Sequence, residues 1–495
     1  MDPVSGTVEW QALAAAAEAP RARRVKALAD PVRLERFVAE ACGLRLDLTR
    51  QLFDPDELDL LLWLIEDREV MEQVNSMFAG EHVNNTEGRA ALHTALRAPA
   101  GTALSVDGLD VDAAVQAELA KMEKFATSVR DGSRKGSTGE TFTTIVNLGI
   151  GGSDLGPRMA TAALRPFADP DLAVRFVSNV DPADLQTALA GLDPATTLFI
   201  VCSKTFTTLE TIANAKEARE WIVGALGADA VAAHMVAVST AAAQVEAFGI
   251  DPESGMFGFW DWVGGRYSVG SAVGLSLMVA VGPANFREFL GGMNAMDTHF
   301  RTAPAASNLP VLLALSWLWN GSLAGFETHA VLPYSHDLRL FPTWLQQLDM
   351  ESNGKSVRSD GTPADTDTGT IVWGQAGTDG QHAFHQLLHQ GTRTVPCDLI
   401  GFAQSVDPAD QDRQDLLVAN LVAQAEALSI GRSEDEAAAT GRPDLAPHRR
   451  FPGGRPVTVI LAKQLNPATL GSLVALYEHK VFVEAAIWGI NAFDQ

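Results

Sequence analysis

The stretch "GIGGSDLG" at positions 149–156 follows directly on the apolar run "TIVNL". A strand that runs into a glycine-rich loop commonly meets a phosphate, because small residues let the anion approach backbone N–H groups at a helix N-terminus. The loop fails the dinucleotide fingerprint. Asp154 stands where its third glycine belongs, and "AVRFVSN" ends in Ser178-Asn179 instead of an acid for a ribose hydroxyl. No GxxxxGK[ST] occurs, which excludes a P-loop. Alone, the glycines fit a tight strand-to-helix turn equally well. A second loop, "CSKTFTTLET" at 202–211, follows "TTLFIV" and gathers Ser203, Lys204, Thr205, Thr207 and Thr208 at the mouth of the next helix. Hydroxyls, one ammonium and a helix N-terminus suit a single phosphate dianion. Capping would account for one such residue, not for the whole group. Two such junctions in one sheet open at its carboxyl edge, where open α/β sheets take ligands. A phosphomonoester between them is the economical reading.

Three further segments carry reactive side chains. "LQQLDMESNGK" (345–355) holds Asp349 and Glu351 with Gln346, Gln347 and Asn353. A carboxylate buried among amides can serve as a base near neutral pH, but on charge pattern alone a solvated helix end fits better. "FWDWVGGRYSVG" (259–270) sets Arg266 after a Gly-Gly turn; it could face developing negative charge or be an ion-paired surface residue. "GTDGQHAFHQLLHQGT" (377–392) places His382, His385 and His389 on one helical face, with no carboxylate beside them to complete a metal site. Asp379 reads as the N-cap, which puts His382 in the first turn, where the dipole favours a neutral ring. His385 and His389 read as packing or hydrogen-bonding residues. Together the set points to proton abstraction beside a carbonyl on a sugar phosphate.

The elements that must hold these residues follow from pattern. The 495-residue chain has 46% apolar and 20% charged residues, a globular balance with room for two or three domains. A net charge of −24 disfavours nucleic acid as a partner. Cys42, Cys202 and Cys397 lie far apart and read as reduced thiols of a cytoplasmic protein. "MDPVSGTVEW" carries no signal-peptide pattern, and the longest apolar runs are too short to span a bilayer. "VEWQALAAAAEA", "RLERFVAEACGLRLD" and "DELDLLLWLIEDREVMEQVNSMF" read as helices by apolar spacing. From about 141, strand-like runs alternate with helical ones, break at a helical stretch over 271–325, and resume, predicting two α/β layers with parallel sheets. The segment 431–456 reads as a polar surface loop.

"NNTEGRAALHTALR", "GIGGSDLGP", "SKTFTTLET", "FWDWVGGRYSVGSAVGLS", "LQQLDMESNGKSV", "GTDGQHAFHQLLHQGT" and "LYEHKVFVEAAIWGINAFDQ" closely resemble the glucose-6-phosphate isomerase family, in family order from about residue 80 onward. The resemblance implies two αβα sugar-isomerase (SIS) domains after an N-terminal helical arm, here 1–112, 113–280 and 281–495. It implies a homodimer with shared active sites, interconverting glucose 6-phosphate and fructose 6-phosphate with no metal or organic cofactor. By motif position, Ser153, Ser203, Thr205 and Thr208 hold the phosphate, and Lys204 contributes backbone. Gly152, Gly265 and Gln347 line the sugar, and His382, from the partner, assists ring opening. Glu351 carries the proton between C2 and C1 through a cis-enediol, and Arg266 stabilises the charge that develops. Two departures stand out. Val269-Gly270 replace a bulkier Leu-Trp, which predicts a looser wall. The family continues past "FDQ" to a ring-opening lysine, so the chain is expected to be truncated at Gln495 or to lack that group; Lys480 matches the family as a helix residue. A broader isomerase that also takes mannose 6-phosphate, and a sugar-phosphate sensor on the same fold, are the competing readings.

Overall fold

Strands form where apolar runs are bounded by glycine, proline or polar turns. The computed structural model describes residues 3–17, 25 and 31–494. In chain order the strands are β1 (Val38–Ala41), β2 (Leu44–Arg50), β3 (Ser105–Val106), β4 (Leu109–Asp110), β5 (Thr144–Leu148), β6 (Ala173–Val177), β7 (Thr197–Cys202), β8 (Met235–Val238), β9 (Met256–Phe257), β10 (Thr328–Pro333), β11 (Ile371–Trp373), β12 (Cys397–Phe402) and β13 (Val457–Ala462). The chain divides into two units, each built from separate segments; the one that joins both ends of the chain is termed the discontinuous unit.

The unit built from Met77–Val83 and Arg89–Asn294 carries a parallel sheet in the order β6-β5-β7-β8-β9. Every residue of β5, β7 and β8 is buried, as expected when helices cover both faces of a parallel sheet. Val146, Leu148, Phe199, Val201 and Ala237 pack there against Ala215, Ala218 and Ile222 of the helix Leu209–Leu226. This is the α/β layer read from the first run of alternation.

The second unit joins Met1–Ser76, Asn84–Gly88 and Ala295–Gln495. Its sheet runs β1-β2-β13-β12-β10-β11, with β13, β12, β10 and β11 parallel and the β1–β2 hairpin antiparallel at one edge. That hairpin corrects the helical reading of 33–47, where only the short helix Pro31–Arg36 forms. Cys42 and Gly43 turn at φ 53° and 76°, and Leu44, Leu46 and Leu48 are buried while the residues between them are partly exposed. A period of two, with a left-handed turn, outweighs the weaker three- and four-residue spacing. The helices expected on either side are present as Val8–Ala17, Pro55–Asp67 and Val70–Ala79; residues 18 and 19 of the first reading lie outside the described residues. Gln495, where the truncation expectation falls, is also outside them.

Segment 431–456 is more ordered than a loop. Two short helices, Glu434–Ala438 and Ala446–Arg449, are closed by a Ser433–Glu436 capping box and an Arg432–Phe451 bridge. Among the described residues, no helix is long and apolar enough to cross a membrane, and Cys42, Cys202 and Cys397 are free thiols.

Candidate active site

In the first-described unit, the end of β5 delivers the chain into the short 3₁₀ turn Gly151–Ser153. Gly152 is dictated by contact: a Cβ there would stand 2.1 Å from the Gly265 carbonyl oxygen. The glycine loop and the Gly265-Arg266 turn are thus in backbone contact. Asn147, fully buried within β5, donates from Nδ2 to the Ser153 carbonyl at 3.1 Å and holds the turn from beneath. The Ser153 hydroxyl bonds to Cys202, whose thiol burial pushes up to about 12, so the loops after β5 and β7 are tied together. Asp154 is buried, its pKa raised by burial and partly offset by Arg158, Nη2 of which lies 2.8 Å from Oδ1.

The loop after β7 brings its hydroxyls together. Ser203 Oγ bonds to Thr208 Oγ1 at 3.1 Å, and Thr205 and Thr207 hydroxyls meet at 2.7 Å. Thr208 occupies the N-cap position of the helix Leu209–Leu226 but makes no side-chain cap bond. Its hydroxyl belongs to the cluster. The Lys204 carbonyl accepts from Ser239 Oγ, Thr240 Oγ1 and Thr240 N, which fixes the loop's path, while Lys204 Nζ reaches Asp261 at 3.2 Å.

Arg266 lies in the 3₁₀ turn Gly265–Tyr267 and is buried, which removes the surface ion-pair reading. The looser wall expected from Val269-Gly270 is corrected as well. Val269 is buried, and a Cβ on Gly270 would meet Leu290 at 3.2 Å and Leu96 at 3.9 Å, so neighbouring leucines fill the space.

In the discontinuous unit, the short helix Phe341–Leu345 widens into a π-helical turn, Gln346–Glu351, that carries Gln347 and Glu351. Such turns are rare and concentrate at functional sites. Leu348 and Asp349 face inward; Gln347 and Glu351 are half-buried, and Gln346 donates to the Val372 carbonyl of β11 at 3.0 Å. The acid that is fully buried in this segment is therefore Asp349, not Glu351.

His382 ends a separate 3₁₀ turn, Asp379–His382, after β11, and is exposed. This corrects the N-cap assignment of Asp379. The helix proper starts only at His385, because Phe384 leaves helical geometry to pack edge-on against Trp373, with ring centroids 4.8 Å apart. His385 Nδ1 and His389 Nε2 share Gln424 Oε1 at 3.1 and 2.8 Å, as hydrogen-bonding residues should. Burial lowers the pKa of both rings.

Sequence reasoning missed a buried polar network behind the π-helical turn. Lys480 Nζ lies 2.5 Å from Asp349 Oδ2 and 2.9 Å from Glu484 Oε2. The available signal was ionisable residues inside the apolar segment 467–488, since buried charges must be paired. Asn147, a lone amide in "TIVNL", was a similar signal for the glycine loop.

The sequence pattern described as phosphoglucose isomerase matches residues 47–495. A glucose-6-phosphate isomerase of Frankia casuarinae is 56% identical, the alignment covering 99% of this chain and 90% of that one. One from Corynebacterium glutamicum strain R is 54% identical over 100% of this chain and 92% of its own. The crystal structure of a glucose-6-phosphate isomerase from Chlamydia trachomatis superposes with a TM-score of 0.89 at 34% identity, covering 100% of this chain and 93% of that one.

Proposed function

The chain belongs to the phosphoglucose isomerase family and interconverts glucose 6-phosphate and fructose 6-phosphate, and from that premise we propose how its residues divide the work. Ser153, Ser203, Thr205 and Thr208 hold the phosphate with the Lys204 backbone, while Gly152, Gly265 and Gln347 line the sugar. His382 assists ring opening by moving a proton between the ring oxygen and the C1 hydroxyl. Glu351 then takes the proton from C2 of the open aldose, leaving a cis-enediolate; the O2 hydroxyl proton passes to O1, and Glu351 returns its proton to C1 to give the ketose. Arg266 stabilises the negative charge that grows on the enediol oxygens. The proton stays within the substrate and its base and no electron leaves, so the proposal uses neither metal nor organic cofactor.

The observation that carries this reading is the hydroxyl cluster at an uncapped helix start: Ser203 and Thr208 meet at 3.1 Å, Thr205 and Thr207 at 2.7 Å, and Thr208 caps nothing. Converging donors at the positive end of a helix recognise a dianion. Family membership supports a homodimer in which His382 serves the partner's substrate. The free thiols support a cytoplasmic setting.

A mixing experiment tests roles and sharing together. Glu351→Gln should bind fructose 6-phosphate like the parent and lose turnover by roughly 10²- to 10⁴-fold, the usual contribution of a positioned base. His382→Ala alone should also be impaired. Co-expression of the two chains should restore activity, because a mixed dimer with shared sites contains one site with both native side chains. A Glu351→Gln chain as active as the parent would sink the base assignment. No gain on mixing would sink the sharing.

A further inference from the structure

The π-helical turn Gln346–Glu351 presents two faces. Gln346 and Met350 are exposed and Gln347 and Glu351 half-buried, while Leu348 and Asp349, and Ser352 and Asn353 directly after the turn, are buried. Behind the inner face runs the helix Pro467–Trp488, which is buried along nearly its whole length. Lys480 on that helix is fully buried, and its ammonium touches three partners at once. They are Asp349 Oδ2 at 2.5 Å, Glu484 Oε2 at 2.9 Å, and the face of Trp317, with Nζ 3.4 Å from the ring centroid. Asn353 adds a second tie, donating from Nδ2 to Glu484 Oε2 at 2.9 Å and to the Val481 carbonyl at 3.2 Å.

The anchor is itself held from behind. Trp317 Nε1 donates to Asp398 Oδ2 at 3.0 Å, and Tyr477 donates to the same oxygen at 2.9 Å. His329 lies 2.9 Å from the other oxygen and stacks on Trp317 with centroids 3.7 Å apart. An ammonium gripped on these sides has little room to relax.

A buried ion pair of this kind contributes little net stability over apolar groups of the same volume, because desolvation offsets most of the attraction. What it supplies is direction. A misplacement of about 1 Å at a reacting group can cost roughly 10²-fold in rate. We propose that Lys480 is a positioning residue for the isomerisation: through Asp349 it clamps the π-helical turn to the helix Pro467–Trp488 and so sets where Gln347 and Glu351 stand. The inference rests on the reading of Glu351 as the proton-transferring base.

The test removes both charges together, in Lys480→Met/Asp349→Asn, so that neither is left buried and unpaired. Circular dichroism and melting check the fold, and steady-state kinetics use glucose 6-phosphate with protium or deuterium at C2. The expected result is a folded protein whose KM stays within about twofold of the parent and whose kcat falls about 10- to 100-fold. The isotope effect on kcat should rise, because proton transfer becomes slower than the other steps. A folded double variant with the parent's kcat and isotope effect overturns the proposal. One that does not fold also overturns it, since the pair would then be a requirement of the fold. Glu351→Gln runs in parallel: if that variant keeps its turnover, the base reading has failed, whereas its loss alone beside an unchanged double variant is a failure of the clamp.

Discussion

At the scale of single residues, contact distance decides what substitution can do. A Cβ at Gly152 would sit 2.1 Å from the Gly265 carbonyl oxygen and 2.3 Å from its carbonyl carbon, both backbone atoms that cannot step aside. Gly152→Ala must therefore push the glycine loop and the Arg266 turn apart. Overpacking of this kind costs about 1–3 kcal/mol. The expected outcome is a lowered melting temperature with a KM for fructose 6-phosphate raised at least severalfold; a variant with the parent's KM would show that the loops separate harmlessly. The sequence made these loops legible because glycine and clustered hydroxyls have few local uses. It was less informative about acids. Asp349 and Glu351 are two positions apart in one polar run, and only the turn of the backbone makes the first fully buried and the second half-buried.

At the scale of elements, the helix Pro467–Trp488 shows what a buried ionisable group does to the pH response. Burial raises the Glu484 carboxyl from 4.5 to about 8, against the opposing pull of Lys480. The folded chain thus binds this proton more tightly than the unfolded chain does. Its stabilising contribution is present in full below the ordinary carboxyl range and is lost as pH rises through about 8. Urea midpoints between pH 5.5 and 8.5 should fall more steeply for the parent than for Glu484→Gln, which has no proton to lose. Parallel curves would mean that Glu484 titrates alike in both states. Element type was readable wherever one period dominated, as in "TIVNL" or 467–488. It was misread at 33–47, where leucines spaced for a strand overlap a weaker helical pattern and the deciding feature is a left-handed turn at Cys42-Gly43. His382 was misplaced for a related reason: the packing of Phe384 on Trp373, a contact between distant residues, ends the helical path.

At the scale of the whole molecule, the alternation of strands and helices announced two parallel-rich α/β layers, but not that one of them is assembled from both ends of the chain. Pairing between β2 and β13 joins residues about four hundred positions apart and leaves no local trace in either segment. Leu44 and Leu46 pair with Ala462 and Ile460, and Gln51 bridges the join, donating to Thr458 Oγ1 at 2.9 Å and accepting from Asn320 Nδ2 at 3.1 Å. Removing residues 1–54 should therefore do more than shorten the chain. It would strip β13 of its neighbour, expose an apolar strand edge, and leave buried Thr458 and Asn320 without these partners. In calorimetry the shortened chain should lose the cooperative transition of the discontinuous unit, retain that of the unit spanning Arg89–Asn294, and aggregate through the exposed edge. Limited proteolysis should cut first within 295–495. If the shortened chain instead melts as the parent does, the hairpin is an appendage of the sheet, and the remaining strands suffice to hold Glu351 and its turn in place.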